Sequence, residues 1–183
     1  MDTTAGQLPD QLRTPRLVLR EPRECEAPRL FDAYTHDPEV TRFLIWRPHA
    51  TVADTETFIA GCIRDWRGDV RRPYVVALHE DSDRPIGMLE ARVHLHTIDI
   101  GYALARKHWG QGFMPEAIRA LSAAALSMPA FFRMQATCDI DNHVSARTLE
   151  KSGFLLEARL ERHVVHPNIG PGPRACLMYA RCK

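Results

Sequence analysis

Apolar and polar positions alternate in a readable order along the chain. Arg16-Leu17-Val18-Leu19-Arg20 has the two-residue period of a strand. Pro22 and Pro28 bracket a helix start, and Leu30, Phe31 and Tyr34 follow at helical spacing. Asp37-Pro38 predicts an N-cap with proline at the first helical position. Thr51 and Asp54 form a capping-box pattern, and Phe58, Ile59, Cys62, Ile63 and Trp66 then mark one face of a longer helix that Gly68 and Asp69 end. Tyr74–Leu78 and Ile86–His94 read as a hairpin joined by the turn-forming run Asp81-Ser82-Asp83-Arg84-Pro85. Thr97–Leu104 alternates Ile98, Ile100, Tyr102 and Leu104 on one face. A glycine turn then feeds a helix to about Met128, stopped near Pro129. Arg133–Ile140 reads as a strand and His143–Ser152 as a helix closed by Gly153. Leu155–His166 and Arg174–Cys182 are the last strands. Residues 1–11 read as a flexible lead-in to one domain spanning 1–183. The pattern predicts an α/β (α+β) fold, a mixed sheet with helices on its faces.

The turn carries the chemistry. In Arg106-Lys107-His108-Trp109-Gly110-Gln111-Gly112-Phe113-Met114-Pro115 two glycines stand where a strand hands over to a helix. Peptide N–H groups there have no side chain above them and the positive end of a helix dipole behind them, which suits a phosphate or pyrophosphate. No Gly-Lys-Ser/Thr follows, so it is not a Walker loop. The third glycine and the distal acid of a dinucleotide fingerprint are also missing. The plain alternative is a tight turn that packs its helix well.

Composition narrows the field. The 183 residues carry a net charge of +1 and no basic stripe, which argues against a nucleic-acid partner. No run approaches the ~20 apolar residues of a membrane span, and the first residues lack a leader pattern, so a cytoplasmic protein is expected. The five cysteines have no metal or redox spacing and read as free, mostly buried thiols. His94 and His96 share a strand face without an acid to complete a ligand set, so no metal is expected. Trp46 and Trp66 read as packing residues.

Several segments in register carry a resemblance. Lys107-x-x-Gly110-x-Gly112 resembles the acetyl-CoA pyrophosphate loop of the GNAT (Gcn5-related) N-acetyltransferases, with Lys107 in the place of their usual Gln or Arg. Ile98–Leu104 resembles that family's central strand. Leu12–Arg20, Trp46–His49, Asp141–Ser145 and Leu149–Phe154 are similar to its RimJ/RimL-like branch, so the likeness runs over residues 12–182. One departure is Arg174-Ala175, where many relatives have Arg-Asp.

The resemblance implies a mostly antiparallel central sheet splayed at its middle, and direct transfer of an acetyl group from acetyl-CoA to a primary amine. The acceptor would be a ribosomal or other protein N-terminus or a small amine. A non-catalytic CoA-binding sensor is the alternative, and a homodimer is compatible with such folds. Tyr102, Ala103 and Leu104 would offer main-chain groups to the pantetheine arm and the oxyanion. Lys107, Trp109, Gly110, Gln111, Gly112, Phe113 and Met114 would hold the diphosphate. Asn142 would bond the pantetheine arm, and Ser145 would protonate the leaving thiolate, though both also suit helix capping. Glu90, on the strand beside the central one, is the favoured proton acceptor, with a solvent-facing role as the alternative and Glu161, His163 and His166 as rivals. Tyr179 reads as core that could reach the site.

Overall fold

The computed structural model describes residues 7–68 and 71–183. Eight strands form one sheet: β1 (Gln11–Arg13), β2 (Leu17–Arg20), β3 (Arg71–Leu78), β4 (Asp81–His94), β5 (Thr97–Leu104), β6 (Arg133–Asp139), β7 (Leu155–Val165) and β8 (Pro173–Cys182). Their order is β1-β2-β3-β4-β5-β6-β8-β7. Helices α1 (Ala27–Leu30), α2 (Pro38–Thr41) and α3 (Val52–Trp66) precede β3, while α4 (Phe113–Ser127) and α5 (His143–Lys151) flank β6.

Every neighbouring pair is antiparallel except β5 and β6. That parallel pair holds register only at Thr97↔Arg133, Ile98↔Met134 and Asp99↔Gln135. The Gln135 side-chain amide donates to Asp99 at 3.0 Å at this last rung. Beyond it the strands part, so the second half of β5 has β4 on one side and a gap on the other. The sheet is thus splayed at its middle, as expected.

Period-two alternation along β4 and β5 builds two cores. Leu89, Ala91, Ile98 and Ile100 point to one face and pack with Ala117, Ile118, Leu121 and Ala125 of α4. Val75, Met88 and Ala105 point to the other and pack with Leu30, Tyr34, Ile59 and Cys62. Helices therefore cover both faces. The caps read from the sequence are present: Asp37 accepts from the Glu39 N–H at 2.9 Å, and Asp54 accepts from the Thr51 N–H at 2.9 Å.

Two expectations change. The lead-in does not extend to residue 11: Leu8 is buried in the core, the Tyr74 hydroxyl donates to Pro9 O at 2.6 Å, and residues 11–13 pair with β2. Residues 1–6, and the Asp69 part of the helix stop, lie outside the described residues. The β3–β4 turn falls at His79–Glu80 rather than at 81–85. Asp81 and Pro85 instead pair with Leu78 and Ala77 across a bulge. Arginines of the preceding segment anchor that stretch, with Arg20 donating to Ser82 O at 2.5 Å and Arg23 to Asp83 at 2.7 Å. Of the five free cysteines, Cys62, Cys138 and Cys176 are buried, whereas Cys25 and Cys182 are exposed. Among the described residues no helix is long and apolar enough to cross a membrane.

Candidate active site

The gap in the sheet sets up the site. Because the Ala105 N–H is bonded to Ile86 O at 2.8 Å, the alternation of an antiparallel ladder turns the main-chain groups of Tyr102 and Leu104 away from β4. They face the opening that β6 has left.

After β5 the chain makes one 3₁₀ turn, Arg106–His108, and then the glycine turn. Gly110 (φ 75°) and Gly112 (φ 77°) both sit in the left-handed region, where a Cβ is strained. Gly112 is the N-cap of α4, and its carbonyl accepts the first helical hydrogen bond from the Glu116 N–H at 3.1 Å. The N–H groups of Phe113 and Met114 are thus without helical partners, and Pro115 has none to leave unpaired. Side chains brace the turn, Trp109 from within the opening and Gln111 and Arg16 from outside it. The Trp109 indole donates to Leu104 O at 2.7 Å, the Gln111 amide to Lys107 O at 2.9 Å, and Arg16 to Gln111 O at 2.9 Å.

The opposite wall is the end of β6 and the start of α5. Asn142 caps α5, accepting from the Ser145 N–H at 3.1 Å. That leaves the Asn142 NH₂ group for other partners. The Tyr102 phenol reaches across the gap to within 2.8 Å of Ser145 Oγ and 3.2 Å of Ser145 O, with one hydrogen to give to either. Burial holds the Tyr102 phenol well above the usual tyrosine range, although its Ser145 hydrogen bond works the other way. It therefore stays protonated at neutral pH.

Between these walls lies a pocket of about 400 Å³. It brings together Tyr102, Ala103, Leu104, Trp109, Gly110, Gly112, Phe113, Met114, Asn142 and Ser145. Lys107 and Gln111 do not line it: the loop turns Gln111 back onto Lys107 O.

Glu90 is not in the lining either. It pairs in register with Gly101, but its carboxylate is held by Arg71 at 2.9 Å and Arg92 at 2.8 Å. Burial pushes its carboxyl up, yet the two guanidinium groups outweigh that and hold it below the usual range. Against the expectation that Glu90 faces the thioester, its carboxylate is turned to Arg71, Arg92 and the neighbourhood of Cys62 and not into the pocket. Glu161 is exposed and paired with Arg159 at 2.7 Å, and His163 is exposed. His166 is buried beside Asp139 at 3.6 Å. Tyr179 is core, its hydroxyl donating to Glu150 at 3.0 Å.

The pocket also has residues that were not named as site residues from the sequence, among them Glu39, Val40 and Arg42. Glu39, Val40, Arg42, Phe43 and Leu44, on and after α2, close its far side. Asn168 of the β7–β8 loop pins that segment, donating to Thr41 O at 2.7 Å and to Trp46 O at 2.8 Å. Contacts 127 and 122 residues apart leave no local pattern. Asp141 lines the pocket too, tied to Arg174 at 2.6 Å, while the same guanidinium grips buried Asp139 at 2.6 Å. Trp46 packs beside His49 and Phe58, and Trp66 lies edge-on to Tyr74 in the core.

A family model described as the acetyltransferase (GNAT) domain matches residues 16–155. A protein called uncharacterized N-acetyltransferase p20, from Bacillus licheniformis, is 29% identical over 156 residues, covering 82% of this chain and 85% of that one. The crystal structure of the microcin C7 self-immunity acetyltransferase MccE, in complex with acetyl-CoA and AMP, superposes with a TM-score of 0.82 at 19% identity, covering 93% of this chain and 94% of that one. RimL, a ribosomal L7/L12 alpha-N-protein acetyltransferase in complex with coenzyme A, superposes with a TM-score of 0.82 at 21% identity, covering 94% and 97%.

Proposed function

Since this chain belongs to the GNAT N-acetyltransferases, we propose that its pocket binds acetyl-CoA and that the bound thioester acetylates a primary amine, of a protein N-terminus or of a small molecule. The observation that carries this reading is the left-handed pair Gly110 and Gly112 at the start of α4, opening into the same pocket as the unpaired edge of β5. A Cβ at Gly110 would meet nothing within 4 Å, so the space above that turn is open to a ligand. Peptide N–H groups from Gly110 to Met114 suit a diphosphate, and the helix dipole adds to their attraction. An extended pantetheine arm fits the gap between β5 and β6 as an added strand would, bonding to the main chain of Tyr102 and to the Leu104 N–H, since Trp109 holds Leu104 O. The acetyl-CoA and CoA complexes of the MccE and RimL structures support this choice of cosubstrate.

The chemistry needs three things from the protein. The tetrahedral oxyanion needs a donor, and the gap-facing N–H groups of Tyr102 and Leu104 are candidates. The departing thiolate needs a proton; Ser145 Oγ supplies it, oriented by Tyr102 and by the Asn142 cap, and its hydroxyl is restored by the proton that the amine nitrogen sheds on becoming an amide. The attacking amine must be neutral. An N-terminal amine has a pKa of ~7.7–8.0, so a useful fraction is already free at neutral pH. Two carboxylates line the pocket, Glu39 and Asp141. Arg174 engages Asp141, so Glu39 is the one that meets an incoming amine from the α2 side. Glu90, locked between two arginines, serves the sheet instead.

Thiol release from acetyl-CoA, measured with a panel of peptides and small amines, tests the reading. Acceptor-dependent release supports it. Acetyl-CoA binding with no release for any amine would favour a sensor, and absence of binding would remove the site altogether.

A further inference from the structure

Arg16, on the approach to β2, lies 95 residues before the glycine turn yet touches three parts of it. One nitrogen donates to Gln111 O at 2.9 Å. Its Nε donates to Glu116 at 2.6 Å, and its backbone N–H donates to the same carboxylate at 3.1 Å. The guanidinium lies 4.5 Å from the centroid of the Phe113 ring. Thr14 completes the clamp, its hydroxyl donating to Glu116 at 2.6 Å.

We infer that Arg16 is a positioning residue for the diphosphate arm: it fixes the Gln111–Gly112 peptide so that the Gly112 N–H points into the pocket. The inference rests on the proposed acetyl-CoA site. In a trans peptide the C=O and the following N–H point in opposite directions. Arg16 holds the Gln111 carbonyl on the outer side of the turn, so the Gly112 N–H is turned inward. The lining agrees: Gly112 borders the pocket, whereas Gln111 borders a separate cleft with Pro15 and Arg16. Glycine at φ 77° has no side chain to hold this orientation, so an outside tether is needed.

Arg16 also removes an electrostatic conflict. Glu116 stands in the first turn of α4, where its charge would oppose an incoming diphosphate. The guanidinium and the Thr14 hydroxyl cover that carboxylate, whose side chain is only 14% exposed. A lysine cannot reproduce this arrangement. Its ammonium is a point charge, while the planar fork spans carbonyl, carboxylate and ring together.

Isothermal titration of coenzyme A into wild type, Arg16→Ala and Arg16→Lys, with thermal melts of each, tests the inference. Loss of a charge-assisted tether predicts a Kd raised between about 10-fold and about 100-fold in Arg16→Ala. Arg16→Lys keeps the charge and should still bind at least about fivefold more weakly than wild type, with a near-native melt. A folded Arg16→Ala with wild-type affinity would overturn the inference, and so would full rescue by lysine, which would reduce the role to charge. Should Arg16→Ala not fold, the lysine variant decides alone. A wild-type protein that takes up no coenzyme A contradicts the proposed function itself, a result visible before any variant is made.

Discussion

The Tyr102 phenol and the Ser145 hydroxyl lie 2.8 Å apart, one on β5 and the other on α5, across the gap where the sheet splits. This bond ties together two walls that the strand ladder leaves unconnected. The phenol is protonated at neutral pH and carries a single hydrogen; when that hydrogen points to Ser145 Oγ rather than to Ser145 O, the serine hydroxyl is left to donate toward the pocket.

Ser145→Ala should therefore lower kcat by about 100-fold, the low end for loss of a proton donor, with a much smaller effect on the KM for acetyl-CoA. Tyr102→Phe keeps the ring and removes one orienting bond, so kcat should fall only about fivefold to tenfold. Steady-state kinetics on the two variants check the ranking. Equal losses, or a larger loss in Tyr102→Phe, would move the donor role to the phenol.

Gly110→Glu places a side chain at φ 75°, where an L-residue costs roughly 1–2 kcal/mol, and sends a carboxylate into the open space above the turn, where a Cβ meets nothing within 4 Å. The melting temperature should drop by about 2–8 °C, while acetyl-CoA binding disappears from a titration. Retained affinity in the folded variant would count against the glycine turn as the anion site.

Glu90→Gln makes the opposite prediction. The carboxylate is engaged by Arg71 and Arg92 and does not line the pocket, so kcat/KM should stay within about threefold of wild type, with a stability loss of about 1 kcal/mol. A fall of about 100-fold without unfolding would restore Glu90 as the base.

Much of the fold was legible because its signals are local. The Asp37 and Thr51 caps, the β5 alternation and the Gly110/Gly112 turn are each set by residues within a few positions of one another. The errors came from contacts distant in sequence. Leu8 and Pro9 are ordered by packing against the core and Tyr74, which nothing in residues 1–11 announces. The Asp81–Pro85 run has turn chemistry, but Arg20 and Arg23 recruit it into a strand edge. Glu90 was partly readable: Arg92 is two positions away, on the same face of a strand, and signals a neutralising neighbour. The arginine from β3 was not, since it depends on the Arg71↔Arg92 register. The acceptor side is least legible, because Asn168 assembles it from a loop over 120 residues from Thr41 and Trp46.

Acid should expose the clamp at the end of β6. Burial works to raise the Asp139 carboxyl, but Arg174 and the Asp141 N–H outweigh it and hold the group below the usual range. A carboxyl lowered in the folded state adds stability above its unfolded value of ~3.9, and that contribution is lost as pH falls through the folded value. Asp139→Asn should cost about 3 kcal/mol at pH 7, because it leaves Arg174 half-paired beside a buried site. The difference from wild type should narrow below about pH 4. Thermal melts across that range check the sign; a gap that is constant with pH would contradict it.

The most direct measurement is a crystal structure with coenzyme A bound. The diphosphate is expected within hydrogen-bond distance of the peptide nitrogens of residues 110–114, with the thiol arm running between β5 and β6 toward Ser145. A diphosphate seated elsewhere, or a thiol arm outside that gap, would contradict the account.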